Sequence, residues 1–283
     1  MSRLLNCPVC GSSAFSSLEF TSKQEIGEYE IGECLHCTHQ FLSDPPSSHE
    51  LKTYYDSFYK EDIRTQKPGK PTFRDYALVR TLIPHLPQNA HVLDIGANFG
   101  STLLAFPQSY TLEGVELSKP AADAAERSNR LTIHRSAIED IDLPDSRFDC
   151  IVSLAVIEHI ANTNSFLAKI TKLLKPGGIL LLMTGDYRSW SAQKLERNWH
   201  LYHSGGHLHF FSGESLEHAL GQHGIEPYER IWVGPNKLTF KLPTIIGRPL
   251  HCQTTSLLLP MLFARKPQGD HIFIWGRSKL RQQ

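Results

Sequence analysis

From residue 91 onward, short apolar runs alternate with amphipathic stretches. The runs His91–Ile95, Thr111–Glu116, Thr132–His134, Phe148–Leu154 and Gly178–Thr184 predict buried strands, because they are rich in Val, Ile and Leu and are bounded by turn residues. Between and after them, Ser101–Phe106, Pro120–Ser128, Thr163–Leu174 and Gly213–His223 predict helices. Buried strands separated by helices imply an α/β fold, with a parallel sheet and crossovers on both faces. A later pair, Tyr228–Val233 and His271–Gly276, is expected to close one sheet edge. The segment 234–269 between them is apolar and broken by prolines, and reads as an insertion.

The upstream pattern differs. Residues 1–42 read as a short strand-and-turn module, with a hairpin over Ser17–Ile31 that turns near Gly27. Ser43–Ser48 (SDPPSS) is a linker, since adjacent prolines stop regular structure. A helical stretch follows with clustered aromatics, Tyr54, Tyr55, Phe58 and Tyr59. Two readings stand for it: a lid over a ligand, or ordinary packing on the core. Residues 63–71 read as a loop and Phe73–Leu82 as a helix ending before Pro84. The expected organisation is therefore a module at 1–42, a linker and lid-like helix at 43–72, and a main domain at 73–283.

Charge narrows the function. The 283 residues hold 29 Lys+Arg and 29 Asp+Glu, which excludes a basic chain built to coat phosphate backbones. No apolar run reaches the roughly 18–20 residues of a membrane span, and MSRLLNCPVC lacks the apolar core of a signal peptide. A cytoplasmic protein with no membrane partner is expected.

Four of the six cysteines form two Cys-x-x-Cys pairs, Cys7/Cys10 and Cys34/Cys37. Without an export signal, metal binding is preferred over disulfides. Four thiolates close the tetrahedral shell of Zn²⁺ and leave no position for water, so the expected zinc is structural. His36 and His39 beside the second pair read as surface residues, and Cys150 and Cys252 as ordinary buried thiols.

The first main-domain strand runs into Val92-Leu93-Asp94-Ile95-Gly96-Ala97-Asn98-Phe99-Gly100. A strand, a glycine turn and then a helix form a nucleotide-type binding turn. Glu116 ends the second strand 20 residues after Gly96, where a carboxylate can accept both hydroxyls of a ribose. Ser136-Ala137-Ile138-Glu139-Asp140 follows the third strand, and Leu174-Lys175-Pro176-Gly177-Gly178 precedes the fifth.

With these motifs in order (VLDIGANFG, GVELS, SAIED, FDCIVSLAVIEHI, LLKPGG), the chain resembles the class I S-adenosylmethionine-dependent methyltransferases over roughly residues 73–230. The resemblance implies a Rossmann-like fold with a mostly parallel seven-stranded sheet, and S-adenosyl-L-methionine as cofactor. It implies that Asp94, Gly96, Asn98 and Gly100 shape the turn around the methionine part of the cofactor. Glu116 and Leu117 would lie at the ribose, Ala137 and Ile138 at the adenine, and Leu154 and Ala155 under the cofactor. Two positions depart from the common pattern: Asn98 stands for the middle glycine, and Ala137 for the acid that contacts adenine in many relatives. Adenine contact would then fall to backbone groups, Glu139 or Asp140. The N-terminal zinc-ribbon module, the YYDSFY stretch and the HLHFFS segment together are similar to bacterial methyltransferases of natural-product, sugar and polysaccharide pathways. That likeness implies a small-molecule or sugar-linked acceptor; oxygen is the preferred methylated atom, with nitrogen and carbon open.

Acceptor chemistry is expected beyond the carboxyl ends of the strands. Glu158-His159 and the run from Trp199 to Phe211 project there, the latter with His200, His203, His207 and His209. Histidine is a natural general base near neutrality; of the candidate catalytic residues His207, His203 and His159, the first two are favoured as base or acceptor-orienting residue. His207, the match to the family's histidine, has a structural reading beside the catalytic one. A structural role is expected for His209, and a support role behind the cofactor for His159. Convergence of His203, His207 and His209 on a metal is a further reading, without a nearby carboxylate to complete it. An RNA methyltransferase is the alternative function, disfavoured because residues 1–62 carry four Lys/Arg against ten Asp/Glu. A non-catalytic cofactor-binding partner protein is the third. The region 187–283 carries 12 Lys/Arg against six Asp/Glu and eight of the 15 histidines, so a positive, histidine-rich mouth for a neutral-to-anionic acceptor is expected.

Overall fold

The computed structural model describes residues 4–62, 69–233 and 270–279. The insertion expected at 234–269, loop residues 63–68, Cys252, and the side chains of Phe58 and Tyr59 lie outside the described residues.

The chain opens with the hairpin β1 (Phe15–Gln24) and β2 (Gly27–Cys34), followed by β3 (Gln40–Leu42). Two helices follow, α1 (Ser48–Asp62) and α2 (Phe73–Leu82). A capping box starts α2: the Thr72 hydroxyl accepts from the Asp75 amide, and the Asp75 carboxylate accepts from the Thr72 amide. The main domain then alternates β4 (His91–Ile95), α3 (Ser101–Leu104), β5 (Thr111–Val115), α4 (Lys119–Glu126), β6 (Leu131–His134), β7 (Phe148–Leu154), α5 (Thr163–Leu173) and β8 (Leu174–Gly185). It continues through α6 (Trp190–Leu195), the two-residue β9 (His209–Phe210), α7 (Gly213–Gln222), β10 (Ile225–Val233) and β11 (His271–Ser278).

Seven strands form one sheet in the order β10-β11-β8-β7-β4-β5-β6. The pairs β4–β5, β5–β6, β4–β7 and β7–β8 are parallel, and β11 runs antiparallel to both β8 and β10. The strand order reverses at β4 and β7, so their carboxyl ends open a crevice where ligands bind in such sheets. Strand β8 starts earlier than its apolar run. Leu174 already pairs with Phe148 across a register break, so the Pro-Gly stretch belongs to the strand rather than to a loop.

Both faces of the sheet are covered, which is why its strands read as continuous apolar runs. Side chains alternate across it. Leu93, Ile151, Leu180 and Leu182 pack with Phe166 and Ile170 of α5 and Leu216 of α7. Val92, Val152, Leu181 and Met183 pack on the other side with Leu78 and Leu82 of α2 and Leu103 of α3. Among the described residues no helix is long and apolar enough to cross a membrane.

The N-terminal module is joined to this body. Its sheet has the order β1-β2-β3-β9, with Phe41 opposite His209 and Gln40 opposite Phe210. Cys7, Val9, Cys34, Cys37 and Phe41 belong to the same buried cluster as Phe166 and Phe211. A shared core predicts shared unfolding. Truncating the fully buried Phe41 to alanine is expected to cost about 3–5 kcal/mol and to lower a single thermal transition of the whole protein. A calorimetric trace in which an N-terminal step moves alone would contradict this.

Candidate functional site

The turn after β4 is built by backbone conformation. Gly96 has φ +78°, and a Cβ there would meet Val156 Cγ2 at 2.6 Å, so only glycine fits. Asn98 also takes positive φ, +48°, a conformation asparagine tolerates better than most residues. Gly100 sits at the N-cap of α3. The amides of Gly96 and Ala97 both donate to the Val115 carbonyl, at 2.9 and 3.0 Å.

Glu116 ties this turn to the next. Its Oε2 accepts from the Asn98 amide at 2.8 Å and its Oε1 from the Ser118 amide at 2.7 Å. Burial still pushes its carboxyl above the usual range, although each oxygen keeps a lone pair for a further donor. Asp94 lies behind the turn. Burial, with Glu116 and Asp75 adding like charge, pushes its carboxyl well above the ordinary range.

A cavity of about 410 Å³ opens over these strand ends. Gly96, Asn98, Glu116 and Leu117 line one part, Ala137, Ile138 and Glu139 another, and Leu154 and Ala155 the floor between. Of the residues expected around a cofactor, Asp94, Gly100 and Asp140 do not line it; the first two shape the turn from behind. The far wall comes from Tyr54 and Tyr55 of α1, together with His159, Ile160 and Gly205. Helix α1 thus covers the cavity.

The histidines separate. His203 binds main chain with both nitrogens: Nδ1 accepts from the Lys23 amide at 3.1 Å, and Nε2 meets the Arg197 carbonyl at 2.8 Å. It does not line the cavity. His209 is buried, with Nε2 on the Ile160 carbonyl at 2.9 Å and Nδ1 facing His39 Nε2 at 3.0 Å. A carbonyl only accepts, so His209 carries its proton on Nε2 and His39 donates to it. This corrects the surface reading of His39, which is fully buried and packs its ring on Phe211 at 4.4 Å. An apolar pocket formed 170 positions away claims this histidine, which no local pattern announces. Convergence of His203, His207 and His209 is corrected too, because the three rings point to separate partners.

His207 and His159 do meet, edge to face at 4.7 Å. His207 Nδ1 faces the Leu201 carbonyl at 3.1 Å, and His159 Nδ1 faces the Gly206 carbonyl at 3.0 Å. Both rings therefore hold a proton on Nδ1 and leave Nε2 as the basic nitrogen. Tyr55 Oη lies 2.9 Å from His159 Nδ1. Burial lowers His159 to about 4, partly offset by the Gly206 bond, and lowers His207 well below the usual imidazole range. Burial likewise lowers His209 to about 4. These three rings are neutral and buried, while six of the 12 Lys/Arg behind the expected positive mouth lie outside the described residues. Glu158, beside them, accepts from the Thr184 hydroxyl at 2.9 Å, and burial raises it to about 7. It is the carboxylate the sequence reading did not place near the histidines.

Gly206 has φ +76°, and a Cβ there would lie 2.5 Å from Tyr55 Oη. The Gly205–Gly206 pair in the sequence was the available sign of this close approach.

The four module cysteines bring one sulfur each within 4.8 Å of the others. Cys7 and Cys37 sulfurs are 3.6 Å apart, and Cys10 and Cys34 sulfurs 3.5 Å. A tetrahedral zinc with bonds near 2.3 Å needs sulfurs about 3.8 Å apart, so the four thiols fit that ion.

The methyltransferase-domain family matches residues 69–229. Among curated relatives, a ubiquinone biosynthesis O-methyltransferase of Bartonella tribocorum is 32% identical over 112 residues, covering 37% of this chain and 44% of that protein. A tRNA N(3)-cytidine methyltransferase of Gallus gallus is 23% identical over 239 residues, covering 77% of this chain and 61% of that protein. The chain spans between 26% and 58% of the length of the first such relatives. A similar solved structure is the Burkholderia thailandensis 1,6-didemethyltoxoflavin-N1-methyltransferase with bound 1,6-didemethyltoxoflavin and S-adenosylhomocysteine. Its TM-score is 0.53 at 16% identity, covering 87% of this chain and 97% of that one. The match over more than half of the chain, on a seven-stranded sheet of this order, makes the protein a member of the class I S-adenosylmethionine-dependent methyltransferases.

Proposed function

We propose that this protein methylates a hydroxyl of a small-molecule or sugar-linked acceptor in the cytoplasm, with His159 as general base. One observation carries the reading: one cavity is lined both by the Glu116 turn and by His159, whose Nδ1 is held by the Gly206 carbonyl. When bound, S-adenosyl-L-methionine supplies an electrophilic methyl group. In this reading the Glu116 carboxylate accepts ribose hydroxyls with its remaining lone pairs. Leu117, Ala137 and Ile138 border the base, and Leu154 and Ala155 form the floor. His159 takes the acceptor's proton on Nε2, while the Gly206 carbonyl holds Nδ1–H and fixes the ring. His207 supports that ring, and His203 stays outside the reaction. Tyr54 and Tyr55 on α1 act as a lid that keeps water out.

Residues 1–42 form a zinc ribbon in this proposal and 73–283 the methyltransferase domain. Zn²⁺ held by Cys7, Cys10, Cys34 and Cys37 cross-links the module and takes no part in transfer. The similarity to a tRNA methyltransferase supports an RNA acceptor as the second reading, against which stands the net charge of −6 on residues 1–62.

Four measurements test the proposal. Glu116→Ala is expected to weaken cofactor binding at least tenfold in calorimetry, since it removes two charge-assisted hydrogen bonds at the ribose and frees the Asn98 turn; an unchanged affinity would overturn the ribose assignment. His159→Ala is expected to lower kcat by roughly 10²–10⁴ while leaving cofactor affinity intact. A base must be unprotonated, and His159 sits at about 4. Hence kcat/KM should stay level from about pH 8 to about pH 5 and fall below that, whereas an unperturbed histidine would lose activity from about pH 6.5. Elemental analysis should find one zinc per chain, lost together with thermal stability in Cys34→Ser.

A further inference from the structure

The residue that orients the base lies outside the methyltransferase domain. We propose that Gln24, the last residue of β1, is a positioning residue for His159; the inference rests on the reading of His159 as the base. Gln24 is buried. Its Oε1 accepts from the Gly206 amide at 2.9 Å, and its Nε2 donates to the His207 carbonyl at 2.8 Å and to the Ser22 hydroxyl at 3.0 Å. An amide N–H only donates and a carbonyl only accepts, so the orientation of the side-chain amide is settled by its partners.

These two bonds bracket one peptide. The Gly206 amide precedes it and the His207 carbonyl follows it; between them lies the Gly206 carbonyl, which binds His159 Nδ1. Gly206 adopts φ +76°, a conformation glycine reaches as readily as others, so its own backbone does not hold the carbonyl in place. Gln24 supplies that constraint. The loop is braced beside it by Ser22 Oγ, which donates to the Tyr202 carbonyl at 2.5 Å, and by the Lys23 amide on His203 Nδ1. The proton on His159 Nδ1, and so the lone pair left on Nε2, is fixed from the N-terminal module.

Gln24→Met keeps length and bulk and removes both bonds. The test compares it with the full-length wild type and with His159→Gln. Gln24→Met is expected to lower kcat roughly ten- to a hundredfold, as a small misplacement of a catalytic group does, with cofactor affinity within about twofold because the Glu116 turn is untouched. Nitrogen-15 spectra of the imidazoles supply a readout independent of turnover. His159, identified by the signal lost in His159→Gln, should show a single Nδ1–H tautomer in the wild type and a mixture in Gln24→Met. Unchanged kcat together with an unchanged single tautomer would overturn the role of Gln24. If His159→Gln is as active as the wild type, the reading of His159 as base falls. The tautomer spectrum then still decides whether Gln24 orients the ring.

Discussion

Buried peptide groups need hydrogen-bond partners, and the segment 202–211 is largely buried, with regular structure limited to the end of a 3-10 turn at His203 and a two-residue strand. The N-terminal module supplies much of what they lack. Ser22 and Gln24 serve the carbonyls of Tyr202 and His207, Gln24 also serves the Gly206 amide, and the Leu42 amide serves the Leu208 carbonyl at 2.9 Å. Gly205, which lines the cavity, therefore belongs to a segment braced by the first 42 residues.

The same arrangement explains why the histidines are neutral. Burial disfavours the charged imidazole, and among the described residues no ion pair to a carboxylate is formed by His159, His207 or His209, although Glu158 lies beside the first two. What each ring receives instead is a backbone carbonyl on one nitrogen. That choice fixes a tautomer without adding charge, leaving a lone pair on the other nitrogen. The effect in His209 is structural, because its second nitrogen meets His39. In His159 the free nitrogen belongs to a ring that lines the cavity. One chemical device thus serves support in one place and proposed proton transfer in another.

A metal site, if loaded as proposed, would act on this geometry at a distance. Cys34 and Cys37 bound the loop that presents His39, whose carbonyl accepts from the Cys34 amide at 2.9 Å. His39 reaches Ile160 through His209, and Ile160 lines the cavity directly after His159. The thiols and the candidate base are joined by three short contacts.

The sequence determined what depends on neighbours along the chain. Strands β4 and β7 and helix α2 run over the same residues that their apolar patterns marked, because burial on both faces forces a continuous apolar run. The glycine turn and Glu116 were readable because a cofactor-type turn needs particular residues at short, fixed spacing. The tertiary structure decided which polar groups would be enclosed together. Gln24 and His207 are 183 positions apart, His39 and His209 170, and Tyr55 and His159 104. None of these pairs leaves a periodic trace, so His39 read as a surface residue and Gln24 drew no notice. Their roles follow from packing one sheet against another, which sets burial and partners only once the whole chain has closed.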